Sequence, residues 1–194
     1  MAGHSIPHFQ NDGGHPVIEI GVKEFMCVGA SVPYDHPHVF GYSMGARITA
    51  FLALAHPHRV RSVVFGGLGI GMVEGVGDWD PIAAALLAPS LEDVTHERGR
   101  MFRAFADQTK SDRLALAACI RTSRDLLSAE DMAKIDVPAL IGVGTKDDIA
   151  GAPGPLAALM PDARALDIPN RDHMLAVGDR VFKKAVLEFY AEIA

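Results

Sequence analysis

From residue 38 onward, short apolar runs alternate with stretches whose apolar residues recur every three or four positions. Residues 38–42 read as a buried strand, and Met44, Ile48, Phe51, Leu52 and Ala55 then mark one face of a helix that His56-Pro57 ends. A second strand is expected over residues 61–65, closed by Gly66-Gly67, a third over 138–144 and a fourth over 163–168. A short helix over 155–160 follows the Gly/Pro-rich turn at 151–155. A last helix over 177–193 carries Val181, Ala185, Phe189 and Ile193 on one face. Apolar strands alternating with amphipathic helices predict an α/β fold, a mostly parallel sheet covered by helices on both faces.

Residues 68–136 interrupt that alternation. Helical periodicity runs through 80–88, 93–106, 111–127 and 128–134, and Ser128 with Asp131 has the form of a capping box. An all-helical insertion between two strands of such a sheet predicts a cap within one domain of 194 residues. Trp79, Met101, Phe102 and Phe105 are its candidate substrate-binding residues, with plain core packing as the competing reading of each.

The first 37 residues break the pattern differently. Residues 15–20 and 25–28 have the character of short strands, but too few residues separate Gly29 from His38 to form a crossover helix. The strand over 38–42 would then show an apolar edge. That edge implies aggregation, edge-to-edge homo-oligomerisation, or repair by residues 15–28.

Composition narrows the function classes. Apolar residues make up 49% of the chain, which argues for a folded core, and a net charge of −6 leaves no electrostatic footprint for nucleic acid or anionic lipid. The longest apolar stretch, Ile82 to Ala88, is too short to span a bilayer and is bounded by Pro81 and Pro89. The N-terminus lacks the basic start and apolar run of a signal peptide, so a cytoplasmic location is expected. Cys27 and Cys119 have neither metal nor redox spacing and read as free thiols. His36-Pro37-His38 and His56-Pro57-His58 have no carboxylate or cysteine to complete a ligand set, so no metal is expected.

The chemistry concentrates at Gly41-Tyr42-Ser43-Met44-Gly45, where a strand runs into a helix through Gly-x-Ser-x-Gly. A serine at such a bend stands exposed on a strained turn, with the Met44 N–H at the start of the helix as an oxyanion donor. A serine hydroxyl needs a base, and the base needs an orienting group. Asp147 and Asp148 follow the third strand, and His173 follows the fourth, so all come to the sheet edge where such folds gather their ligands. Three alternatives remain: Ser43 as a helix N-cap, Asp148 as the acid, and His173 as a surface histidine. Asp172 reads as a solvated loop charge.

From Val39 to the C-terminus the chain resembles the α/β-hydrolase superfamily, and in particular its small esterase-like members with a helical cap. The residues that carry the likeness are Gly41 to Gly45, the Ala55-His56-Pro57-His58-Arg59-Val60 that follows, Gly144-x-x-Asp147, and Pro169-Asn170-Arg171-Asp172-His173. The resemblance implies Ser43 as nucleophile, His173 as general base and then acid, Asp147 as orienting carboxylate and the Met44 N–H as an oxyanion donor. It also implies hydrolysis of a small-molecule carboxylic ester through an acyl-enzyme, with no cofactor. The chain departs from the family ahead of the elbow. Ile18-Glu19-Ile20-Gly21-Val22 lacks the histidine of the usual oxyanion loop, and the preceding helix is missing, as in a truncated or divergent relative. The rival expectation is a catalytically impaired α/β-hydrolase-like fragment or binding module.

Overall fold

Strand β3 (His38–Tyr42) lies inside the sheet of this computed structural model, which describes residues 9–10, 16–20, 36–122 and 125–193. Among the described residues six strands follow one another in spatial order: β1 (Phe9–Gln10), β2 (Pro16–Ile20), β3, β4 (Ser62–Gly66), β5 (Ala139–Gly144) and β6 (Ala163–Ile168). From β2 to β6 every neighbouring pair is parallel, and β1 is antiparallel to β2. The mostly parallel sheet predicted from the apolar runs is therefore present.

The edge of β3 has a partner. Val17 to Ile20 of β2 pair in register with His38 to Gly41, so repair by the N-terminal segment is the outcome adopted among those expected. The strand expected over residues 25–28 lies outside the described residues.

Strands β4 and β5 are buried along their whole length, as their unbroken apolar runs require. Their side chains alternate between two cores, because successive residues of a strand point to opposite faces. Val63, Phe65, Ile141 and Val143 join one core with Val39, while Val64 and Leu140 join the other with Ile168.

Helix α1 (Met44–Ala55) covers the first core and α8 (Arg180–Ile193) the second. The face of α1 differs from the one expected, whereas on α8 Ala185, Phe189 and Ile193 pack against the core as expected and Val181 does not. The buried side of α1 is made of Gly45, Ala46, Thr49, Ala50 and Ala53, with Arg47 among them, whereas Phe51 is 42% exposed. Volume decides this: a Cβ on Gly41 would stand 2.1 Å from the Gly45 carbonyl oxygen, so strand and helix touch backbone to backbone. Only small side chains fit at such an approach. In α8 the buried residues are Phe182, Phe189 and Tyr190, and Val181 is 46% exposed.

The remaining helices of the sheet unit are α2 (Gly71–Glu74), α6 (Ala129–Ala133) and α7 (Pro153–Ala157). Ser128 and Asp131 form the reciprocal capping box at the start of α6. A turn of 3-10 helix over Pro57–Arg59 follows α1.

The chain divides into two compact units, one of residues 1–76 and 127–194 and the other of 77–126. The flanks of the segment expected as an insertion over 68–136 pack within the sheet unit, where Leu68, Met72, Leu127, Met132 and Ile135 belong to the first core. The second unit holds α3 (Asp80–Leu87), α4 (Glu97–Gln108) and α5 (Arg113–Thr122) around Ala83, Leu86, Ala106 and Ala117. Buried Arg103 fastens it, its Nη1 donating to the carbonyls of Ala85 and Ala88 while Nε pairs with Asp107 at 2.9 Å.

Candidate active site

Ser43 joins β3 to α1 at φ 56° and ψ −114°, in the left-handed region that L-residues avoid. Its N–H donates to the Gly66 carbonyl at 2.7 Å, which ties the bend to the end of β4. The side chain makes no capping bond to its own helix, so the N-cap reading of Ser43 does not hold. It points instead toward His173, with Oγ 2.9 Å from Nε2. Met44 is the first residue of α1, where an N–H has no acceptor within the helix and the helix dipole is positive.

The carboxylate comes from the turn after β5. Asp147 Oδ1 accepts from the N–H groups of Ile149 (2.9 Å) and Ala150 (3.0 Å), which leaves Oδ2 facing His173 Nδ1 at 2.8 Å. Burial pushes the Asp147 carboxyl upward. The hydrogen bond and charge of His173 and the two backbone donors outweigh it, so the group lies below its ordinary value and is ionised. A carboxylate only accepts, so the imidazole proton sits on Nδ1 and Nε2 offers its lone pair to the Ser43 hydroxyl. Asp148, the alternative acid, is exposed, as is Asp172, whose Oδ1 accepts from the N–H groups of Met174 and Leu175.

His173 is buried although it lies on a loop, and that loop is tied to the turn after β5, to itself and to β3. Thr145 Oγ1 accepts from the Asn170 N–H at 2.8 Å, and the Lys146 N–H donates to the Arg171 carbonyl at 2.9 Å. Gly144 leaves room for that carbonyl, since a Cβ there would stand 2.1 Å from the oxygen. The Arg171 guanidinium pairs with Asp179 at 2.5 Å, and Asp179 also accepts from the N–H of Val181 at the start of α8. Finally, Tyr42 Oη donates to the His173 carbonyl at 2.6 Å.

Ser43, Asp147 and His173 are thus brought together, with Met44 beside them. Trp79, Met101, Phe102 and Phe105 belong to the second unit. There Trp79 meets Phe102 edge to face, with centroids 5.6 Å apart, and Met101 and Phe105 are exposed on α4. Tyr42, Thr145, Arg171 and Asp179 were missed in the sequence, because each acts through a backbone carbonyl or a neighbouring loop rather than through a recognisable spacing. Among the described residues no group of three or more histidine, cysteine, aspartate or glutamate side chains converges as a metal-binding set. Nor is any described helix long and apolar enough to cross a membrane.

Comparison with known proteins agrees with this architecture. A sequence profile described as the alpha/beta hydrolase fold matches residues 23–94. No curated protein sequence matches the chain. Among solved structures, an esterase from a marine microorganism is 22% identical with a TM-score of 0.57, covering 80% of this chain and 70% of its own. A hydrolase from Pseudomonas aeruginosa PA01 is 27% identical with a TM-score of 0.56, covering 80% of this chain and 65% of its own. The enol-lactonase from Burkholderia xenovorans LB400 is 21% identical with a TM-score of 0.61, covering 81% of this chain and 66% of its own. The chain spans about two-thirds of the length of these neighbours. The matched profile over residues 23–94, the parallel sheet and the strand–Ser43–helix bend together show the α/β-hydrolase fold.

Proposed function

We propose that this chain is a serine hydrolase that cleaves small carboxylic esters through an acyl-enzyme intermediate. The observation that carries the reading is the continuous relay from Ser43 Oγ to His173 Nε2 and from His173 Nδ1 to Asp147 Oδ2, at 2.9 and 2.8 Å. The fold and its esterase, hydrolase and lactonase neighbours support a hydrolase.

In this reading the Ser43 oxygen attacks the ester carbonyl as its proton passes to His173 Nε2. The negative charge that forms on the carbonyl oxygen is met by the Met44 N–H at the positive end of α1. His173, now cationic beside ionised Asp147, returns the proton to the departing alcohol. Water then attacks the acyl group with the same histidine as base, releasing the acid and restoring the Ser43 hydroxyl. Nucleophile, base and orienting acid are all side chains, so these steps call on no cofactor.

The test is turnover of p-nitrophenyl esters of increasing acyl length by wild type and Ser43→Ala. The reading expects hydrolysis of the short-chain esters and a fall on the order of 10⁶-fold in kcat on removing the nucleophile. Equal rates for wild type and Ser43→Ala would refute the proposal.

A further inference from the structure

Tyr42, the residue before the nucleophile, reaches the loop bearing the base. It is the last residue of β3, paired in register with Gly66, and its ring occupies space that two glycines leave open. A Cβ on Gly66 would stand 2.6 Å from Tyr42 Cδ2, and one on Gly67 would stand 2.5 Å from Cζ and 2.8 Å from Oη. Gly67 lies at φ +60°, where glycine is the favoured residue in any case. The ring also packs against Phe182 and against the His173 imidazole, with centroids 6.5 and 5.6 Å away. Held in this slot, the hydroxyl donates to the main-chain carbonyl of His173 at 2.6 Å.

We propose that Tyr42 is a positioning residue: it grips the backbone of His173 and so sets the height of the imidazole over Ser43. The inference rests on the serine hydrolase reading, but the grip itself is a geometric claim. Asp147 fixes the imidazole at Nδ1, which still allows the ring to swing with its own backbone. The Tyr42 bond removes that freedom at the Cα end. Strand β3 thereby supports both reacting groups, carrying Ser43 as the next residue and holding His173 through the phenol. Burial, with Asp147 and Asp172 adding to it, raises the tyrosine pKa, so the phenol stays a donor throughout the working range of pH.

Tyr42→Phe keeps the ring in its slot and deletes only the donor. The expected result is a roughly tenfold fall in kcat on p-nitrophenyl acetate with KM within about twofold, since misplacing a reacting group lowers rate rather than binding. A second readout does not depend on turnover. The hydrogen-bonded Nδ1 proton of His173 gives a far-downfield proton NMR signal, which should be sharp in wild type and broadened or lost in Tyr42→Phe. Ile135→Val, a substitution in the core of the sheet unit, serves as the stability control and should change neither readout below its melting temperature. Unchanged kcat with an unchanged downfield signal in a folded Tyr42→Phe protein would overturn the proposal. A fall in kcat with an unaltered signal would overturn it as well. Loss of the signal in a variant of an inactive wild type would uphold the grip while refuting the hydrolase reading.

Discussion

Ser43 combines a backbone conformation that L-residues avoid with a side chain that its own helix leaves unused. A non-glycine residue held there costs on the order of 1–3 kcal/mol, so the surrounding structure must impose it. The bond from the Ser43 N–H to Gly66 and the contact of Gly41 with Gly45 do so from two sides. Asp147 offers a test at the same scale. Its folded pKa lies below the ordinary 3.8, so the stability it contributes is complete above that value and is lost as pH falls through the lower folded value. The difference in melting temperature between wild type and Asp147→Asn should hold steady from pH 7 to about 5 and shrink toward pH 3. A gap that is constant down to pH 3 would show that the carboxylate is not held ionised by the fold. In turnover at pH 7 the same variant should lose on the order of 10³–10⁴-fold in kcat, because the amide no longer fixes the Nδ1–H tautomer. Ser43, Asp147 and His173 were legible in the sequence because each follows a strand of the parallel sheet, Ser43 directly after β3, Asp147 in the turn after β5 and His173 in the loop after β6. Tyr42 was not, since a phenol that bonds a main-chain carbonyl has no partner residue type to announce it.

Strands and helices differ in how plainly they can be read. The strands of the parallel sheet are buried on both faces, so hydrophobicity alone marks β4 and β5. Helix faces follow a different rule. On α1 the strand lies so close that volume selects the contact, and alanines face inward while Phe51 faces out. On α8 the ring of Phe182 lies against Gly66 and Gly142, at 2.9 and 2.4 Å from the Cβ positions a larger residue would occupy. The sheet is shaped around that ring, an arrangement invisible to periodicity. Phe182→Ala should therefore cost about 3–5 kcal/mol in urea unfolding, as for a large core ring. Val181→Ala, one position away, should stay within about 0.5 kcal/mol, as a surface substitution does. Similar losses for the two would contradict the observed face of α8.

At the scale of the whole molecule, the sheet depends on a short N-terminal strand. β2 supplies the hydrogen-bonding partner of β3, the strand that ends in Ser43. Neighbouring residues of a parallel strand direct their backbone groups to opposite sides, so one of Ile18 and Glu19 bonds toward β3. Proline removes the N–H at its position. One of Ile18→Pro and Glu19→Pro should uncover the β3 edge and raise aggregation, read by light scattering at constant protein concentration. Both variants remaining as dispersed as wild type would contradict the pairing. This part of the fold was only half legible: residues 15–20 had strand character, but its parallel place beside β3 followed from no local signal.

The central claim is that the Ser43 hydroxyl is a nucleophile activated by His173 and Asp147. Intact-protein and peptide mass spectrometry after treatment with a fluorophosphonate tests it most directly. The account predicts a single adduct mapping to Ser43, absent from Ser43→Ala and formed far more slowly in His173→Ala. Folded wild-type protein that stays unmodified, or an adduct that persists in Ser43→Ala, would contradict it.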